Sequence, residues 1–551
     1  MKRGLWIGGA LAGLVVLGFG GLALKDYVIL HIAGWRGPKV GPNREVIWDA
    51  GPATPTAAPS DRPPNVIVIL ADDLGFNDIS LNGGLGNGTV RTPNIDGLAQ
   101  TGAVLATGYA GNATCSPSRA ALMTGRYPTR FGFEFTAVPI QMAQLIPTLA
   151  PRGDGPRPVF RRDRVKDTPP YEQMGVPASE ITLAELMQGR GYHTIHLGKW
   201  HLGETDGMRP EQQGFDESLG FIVGAQMFLP ANDPKVVNSR QDFDPIDKFL
   251  WANLPYSVQY NGGDRFHPNA YMTDYLTDQA LAGIRANRNR PFFMYLAYNA
   301  PHTPLQALKS DYDALSHITN HRERVYAAMI VALDRGVGRI MAELKAQGLD
   351  ENTLVVFTSD NGGANYLGLP QINKPFRGWK LTFFEGGIRV PYFMHWPKRI
   401  PAGAQLTAPV SHFDIYATAA AAAGAALPAD RKMDGVDLSP FLTGAVSGRP
   451  HTSLFWRSGG YRVVRSGDWK LQVLDRPKRT WLFDLASDPT ERHDLSARRP
   501  DIVAALTAEL EAHNAHQGRT MWPALVEAPV GVDRTGEERI QPGDTYVTWS
   551  N

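Results

Sequence analysis

Four short apolar runs, rich in β-branched and aromatic residues, recur along the chain, and each stops at a group of polar or ionisable residues. N-V-I-V-I-L (Asn65 to Leu70) leads into Ala71, Asp72 and Asp73. Y-H-T-I-H-L (Tyr192 to Leu197) leads into Gly198, Lys199, Trp200 and His201. F-F-M-Y-L-A-Y (Phe292 to Tyr298) leads into Asn299, Ala300, Pro301 and His302, and T-L-V-V-F-T (Thr353 to Thr358) into Ser359, Asp360, Asn361, Gly362 and Gly363. A continuous apolar run suits a strand covered on both faces, the condition of a parallel sheet. Helical patterns between the runs (Ile181 to Gln188, Arg322 to Gln347) then predict an α/β fold with a large, mostly parallel central sheet flanked by helices. Ligands of such sheets bind just beyond the carboxyl ends of the strands. The four polar groups are therefore expected at one edge.

If Asp72, Asp73 and Asp360 converge there, each pair repels by about 4 kcal/mol at about 4 Å and an effective dielectric near 20. A divalent cation removes the conflict. Three carboxylates and the Asn361 amide carbonyl suit a hard ion, Ca²⁺ or Mg²⁺, better than zinc. Alone, an Asp-Asp pair also reads as a helix cap with a solvated neighbour; the D-N-G-G at a second strand end favours the metal. Cys115 is the chain's only cysteine, so no intrachain disulfide exists. Pro117 and the following A-A-L-M place it at a helix N-terminus, where free N–H groups favour anions. A thiol there is expected to have a lowered pKa, which leaves a plain thiol nucleophile open. Arg119, one turn on, reaches back toward that end.

The chain begins M-K-R and runs apolar from Gly4 to Leu24, long enough to cross a bilayer. Lys2 and Arg3 orient everything downstream to the non-cytoplasmic side, periplasmic or extracellular. An uncleaved signal-anchor that inserts in the membrane is the favoured reading, and a cleaved signal peptide its rival. The expected organisation is an anchor or signal segment over 1–33, a Pro- and Ala-rich linker or arm over 34–64, a catalytic domain over 65–444 and a C-terminal subdomain with tail over 445–551. That subdomain reads as a small antiparallel sheet (Y-R-V-V-R, W-K-L-Q-V-L, W-L-F-D-L) plus a helix from Asp501 to His513, with no element after His516. An Ala-rich helix is expected over Ala417 to Leu427. Glu134 to Ala178 and Gln226 to Pro268 read as inserted loops. A net charge of +1 excludes an ordinary nucleic-acid binder. The Asn87 and Asn112 sequons read as chance.

C-S-P-S-R-A-A-L-M-T-G-R (Cys115 to Arg126) resembles the C-x-P-S-R…T-G-R stretch of the sulfatase family, in which the cysteine is oxidised to Cα-formylglycine. A-D-D-L-G, G-K-W-H-L-G, P-H-T-P, S-D-N-G-G and G-W-K-L-T-F-F-E-G-G-I-R-V-P are similar to family landmarks and stand in the same order. W-L-F-D-L-A-S-D-P-T-E-R-H-D-L resembles the family's C-terminal subdomain, so the likeness runs from Pro64 to Leu495. It implies a sulfuric ester hydrolase of the arylsulfatase-like kind, within the alkaline phosphatase superfamily. The nucleophile would be the hydrated aldehyde at position 115, held by Arg119. Asp72, Asp73, Asp360 and Asn361 would join it around one cation, Ca²⁺ before Mg²⁺. Lys199 and Lys380 would bind the sulfate oxygens. His302 would be the acid for the leaving alcohol, and His201 the acceptor of the second hydroxyl's proton. Lys374 and Arg377 are alternative cations, but the five-residue spacing to Glu385 matches Lys380. The substrate implied is a small-molecule or carbohydrate sulfate ester, and the partner in maturation a formylglycine-generating enzyme. A phosphonate or phosphate ester hydrolase of the same superfamily and a catalytically silent tethered binding protein are the alternatives.

Overall fold

The computed structural model describes residues 39–55, 61–150 and 155–551, with isolated positions at 30, 31, 34, 37, 57 and 58. The apolar run over 4–24 lies outside the described residues, and among the described ones no helix is long and apolar enough to cross a membrane. Residues of the 34–64 segment form an arm docked on the sheet rather than a free linker: Trp48 is buried and its indole N–H donates to Gln279 Oε1 at 3.0 Å.

Nine strands make the central sheet: β1 (Asn65–Ala71), β2 (Ala103–Leu105), β3 (His193–Lys199), β4 (Glu217–Phe221), β5 (Gln259–Tyr260), β6 (Phe292–Ala297), β7 (Thr353–Ser359), β8 (Tyr392–His395) and β9 (Ala404–Leu406). Their spatial order is β9-β2-β8-β7-β1-β6-β3-β4-β5. The inner strands β7, β1, β6, β3 and β4 run parallel, while β8 and β5 run antiparallel to their inner neighbours.

The principal helices are α1 (Cys115–Thr124), α2 (Ile140–Leu149), α3 (Pro245–Asn253), α4 (Met272–Ala286), α5 (His321–Ala346), α6 (Phe413–Ala422) and α7 (Pro500–Asn514). Strand β1 shows why its run lacks alternation. Ile67, Ile69 and Ala71 face the core shared with α4 and α5, whereas Val66, Val68 and Leu70 face the core shared with α1 and α6. Both faces are covered, so every position is apolar. Register does the rest: Ala71 pairs with Ser359, Leu70 with Ala297 and Gly198 with Ala297. The residues that follow must emerge together.

The C-terminal part is a four-stranded antiparallel meander, β10 (Ser453–Ser458), β11 (Tyr461–Ser466), β12 (Trp469–Asp475) and β13 (Lys478–Asp484). Val464, Leu471 and Leu482 pack on Leu506 and Leu510 of α7, and the opposite face presses Trp456, Val463 and Phe483 onto Tyr109, Phe384 and Phe413. A buried ion cluster closes that seam: Lys470 Nζ lies 2.8 Å from Glu385 Oε1 and 3.0 Å from Glu491 Oε1.

Three expectations need correction. The stretch after His516 is not featureless: β14 (Val526–Gly531) and β15 (Tyr546–Ser550) pair with each other, and β14 pairs with Val159–Phe160. Buried Val547 and Trp549 supply an inward face that the polar stretch between the strands conceals in the sequence. The two unassigned segments are not only loops, for they contain α2 and α3. The Ala-rich helix is Phe413–Ala422, begun earlier than its alanines suggest because Phe413, Ile415 and Tyr416 supply the buried anchors.

Candidate active site

All ten predicted site residues gather at the carboxyl edge of the sheet. Asp72 and Asp73 follow β1, Asp360 and Asn361 follow β7, Lys199 ends β3 and His302 follows β6. Helix α1 points its first turn into the group, with extended Thr114 (φ −144°, ψ 154°) at its N-cap. The Cys115 sulfur lies 3.7 Å from Asp72 Oδ1, 3.8 Å from Asp73 Oδ1 and 3.2 Å from Lys380 Nζ. Lys380 also bonds Asp73 Oδ2 at 2.7 Å, and Lys199 Nζ grips both Asp72 oxygens at 2.9 and 2.7 Å. Arg119 reaches back as expected: its guanidinium lies 2.8 Å from Asp360 Oδ2 and 3.3 Å from Asp72 Oδ1. His201 shares the wall of one cavity with Cys115, His302 and Lys380. Of the alternative cations, Arg377 points away to Asp533 at 2.6 Å and Lys374 is exposed, which leaves Lys380.

The backbone is strained where it delivers these groups. Asp73 (φ 62°), His201 (φ 59°) and Leu381 (φ 75°) adopt left-handed conformations that cost about 1–3 kcal/mol each. Hydrogen bonds hold them: the Asp73 amide donates to Asp360 Oδ1 at 3.1 Å and the Leu381 amide to the Ala113 carbonyl at 2.9 Å. The glycines of S-D-N-G-G and F-E-G-G serve close approach. A Cβ on Gly362 would meet the Gly386 carbonyl oxygen at 2.0 Å.

Electrostatics set the protonation states. Burial, with Asp360 adding to it, pushes the Cys115 thiol up; Lys199 and Lys380 do not offset this. The lowered thiol pKa expected at a helix start is therefore corrected, because desolvation outweighs the helix terminus. Burial also raises the Asp72 carboxyl, against the pull of Lys199, to about 7. For Asp360 burial is overcome by Arg119, Lys199 and Lys380, which hold it below the usual carboxylate range.

His302 is held down to about 3 by burial, Asp73 opposing and Lys380 reinforcing. Its Nδ1 bonds the Thr303 carbonyl, an acceptor only, so neutral His302 carries its proton there and presents a bare Nε2, 3.5 Å from Lys380 Nζ. His201 is likewise kept neutral by burial and by Lys199. Its Nε2 faces the Ala137 carbonyl at 3.4 Å, which leaves a buried, unpartnered Nδ1 as a lone-pair acceptor.

The residues fit a hard divalent cation. Ligand atoms of Asp72, Asp73, Cys115 and His302 lie within 4.8 Å of one another. Asn361 spends its amide N–H on Asp73 Oδ1 at 2.7 Å, while its Oδ1 is buried without a partner, an oxygen left for a ligand. Sequence reasoning missed two tyrosines. Tyr366 donates to Asp73 Oδ2 at 3.1 Å, and the Tyr295 hydroxyl lies 3.4 Å from Arg119 Nη1. Tyr295 sits inside an apolar strand and reads as core, and Tyr366 stands in no motif. The Asn112 side chain is buried, as a chance sequon allows. A wider, shallower cleft of about 870 Å³ opens beside His193 and Arg290, at the amino ends of the strands, away from this chemistry.

The sheet and the polar edge define an α/β enzyme of the alkaline-phosphatase-like kind. More narrowly, the chain belongs to the sulfatase family, the sulfuric ester hydrolases: the family model "Sulfatase" matches residues 64–425. A model described as "N-sulphoglucosamine sulphohydrolase, C-terminal" matches residues 378–516. Among curated relatives, the steryl-sulfatase of Mus musculus is 32% identical over 86% of this chain and 85% of its own length. The N-acetylgalactosamine-6-sulfatase of Canis lupus familiaris is 33% identical over 89% and 94%. Ps i-CgsB, solved in complex with k-i-k-neocarrahexaose, superposes with a TM-score of 0.69 at 33% identity, covering 84% of this chain and 95% of that one. The phosphonate monoester hydrolase SpPMH of Silicibacter pomeroyi shares the fold, with a TM-score of 0.57 at 18% identity, covering 83% of this chain and 96% of that one.

Proposed function

We propose that this sulfatase hydrolyses sulfate monoesters at position 115, with one divalent cation, Ca²⁺ in preference to Mg²⁺, held by Asp72, Asp73, Asp360 and Asn361. The observation that carries the reading is the meeting of three carboxylates, three cationic side chains and the start of α1 around one buried sulfur. Converted to Cα-formylglycine and hydrated, residue 115 supplies a two-hydroxyl nucleophile that a raised thiol cannot replace. The cation supplies positive charge that favours ionised oxygen there.

The side chains do the remaining work. Lys199 and Lys380 face the sulfate oxygens, where charge spreads as the ester bond lengthens. Arg119 fixes Asp360 and the helix start. His302 Nε2, bare at rest and next to Lys380, takes up a proton from solvent once the sulfate anion raises its basicity, and passes it to the leaving oxygen. The unpartnered Nδ1 of His201 accepts a proton from residue 115 when sulfate departs. Export, anchoring through residues 1–33, maturation by a formylglycine-generating enzyme and the division into 65–444 and 445–551 belong to the same proposal.

Mass spectrometry of the peptide holding position 115 tests the conversion: loss of sulfur to an aldehyde is expected, and an intact thiol in active native protein refutes it. Turnover of aryl sulfate against aryl phosphate and phosphonate tests the substrate; a clear phosphonate preference overturns it. Exhaustive chelation is expected to abolish turnover and Ca²⁺ or Mg²⁺ to restore it. Full activity in chelator would remove the metal from the proposal.

A further inference from the structure

From Cys115 a cavity of about 390 Å³ opens toward α2, α3 and the strands β14 and β15. Its inner end is cationic and carries His201, His302 and Lys380. The rest of the wall has another character. Met142 and Ile146 come from α2, Phe249 and Leu250 from α3, and Val526 and Trp549 from β14 and β15. Among the described lining residues there is no Asp or Glu, and Arg265 is the one charged side chain beyond the inner end.

The polar groups on this wall are largely spent. Asn253 accepts from the Gly34 amide at 2.7 Å and donates to the carbonyls of Leu30 at 2.7 Å and Phe249 at 2.8 Å. Asn551 accepts from the Thr136 amide at 2.9 Å and donates back to the Thr136 carbonyl at 3.3 Å. Thr136 Oγ1 and the Trp549 indole N–H are buried without a partner, which leaves one hydroxyl and one lone donor as handles there.

Resting on the sulfate-ester reading above, we propose that the alcohol half of the substrate is apolar, an aryl or alicyclic body of more than one ring, and not a sugar. A pyranose carries a hydroxyl on nearly every carbon. Each one stripped of water without a partner costs about tenfold in affinity or more. Among its described residues this wall has no acidic side chain to receive them. An apolar body gains about fourfold for each methylene it buries. The volume falls in the range of roughly 300–1,000 Å³ that encloses a drug-sized ligand, larger than one phenyl ring requires.

Two matched pairs test this by kcat/KM for sulfate release from the mature enzyme. Cyclohexylmethyl sulfate and a hexopyranose 6-sulfate share a shape and a primary leaving alcohol. The first is expected to be at least 100-fold the better substrate, and equal turnover or a preference for the sugar overturns the inference while leaving the sulfatase reading intact. Phenyl and 2-naphthyl sulfates have similar leaving groups, and naphthyl is expected to lead by about tenfold; no gain from the second ring also overturns it. Met142→Gln with Ile246→Asn, both on the wall and half-exposed, should erase the naphthyl advantage and leave phenyl sulfate turnover unchanged. Silence toward all four esters would instead sink the sulfate-ester reading itself.

Discussion

Lys380 and Glu385 stand five residues apart in one segment, yet each enters a different buried charge cluster. Around Glu385 the account closes for the carboxylates, with Arg389 Nε left as an unpartnered donor. Its oxygens take the Tyr109 hydroxyl at 2.9 Å and Lys470 at 2.8 Å, while Glu491 takes Gln472 at 2.8 Å and the Glu385 amide at 2.6 Å. Around Lys380 it does not: Asn361 Oδ1 and His201 Nδ1 are buried with nothing to bond. Burial and charge are common to both regions, so neither marks a catalytic centre. What sets the second region apart is a pair of unspent acceptors among the side chains gathered around Cys115.

That contrast is broken or sharpened by substitution. The largest effect belongs to Cys115→Ala, which should lower sulfatase kcat by about 10⁴-fold or more while the melting temperature holds; residual turnover near wild type would refute the nucleophile. Lys380→Ala should cost kcat/KM about 10²–10³-fold, the loss of one charge-stabilising donor. Its Ca²⁺-loaded form should unfold no earlier than wild type, because removing one cation from beside the metal relieves repulsion. Lys470→Met should do the opposite, destabilising the fold by about 3–5 kcal/mol, since two buried carboxylates lose their shared partner, with kcat per folded molecule unchanged. Denaturant titration beside active-site-normalised kinetics separates the two, and equal behaviour would collapse the distinction.

The smallest effect is a pH dependence. Burial, with Glu385 adding and Lys470 opposing, pushes the Glu491 carboxyl up to about 7. Between the usual carboxylate range and that value the folded chain keeps a proton the unfolded chain has lost. The stability from this group is therefore full at the acid end and fades as pH rises through 7. Glu491→Gln cannot lose the proton, so its melting temperature should fall less than wild type's between about pH 5 and pH 8. Parallel curves would count against the assignment.

The polar edge was legible in the sequence because both faces of the inner strands are covered. Uniformly apolar runs announce themselves, and in a parallel sheet the residues after them emerge together. Thr353 to Thr358 followed by S-D-N-G-G needs no tertiary knowledge to be placed. The cavity wall was not legible. It comes from α2 and α3, whose sequences are short and interrupted by Pro or bounded by aromatics, and from β14 and β15, which a polar stretch separates. The Cys115 pKa was misread for a related reason: a helix start is local and visible, whereas Asp360 and complete desolvation arrive from distant parts of the chain. Tyr366 acquires its meaning only through Asp73.

Cys115 is 3% exposed, at the bottom of a cavity and already against a lysine and two carboxylates. A second enzyme cannot bring its own reactive centre to an atom so enclosed. If this sulfur is exchanged for an aldehyde by such an enzyme, the exchange has to happen while the segment is still an extended peptide. The chemistry of the finished site is then decided in a brief interval before collapse, and a copy that folds first is locked for good as an inert twin of the active one.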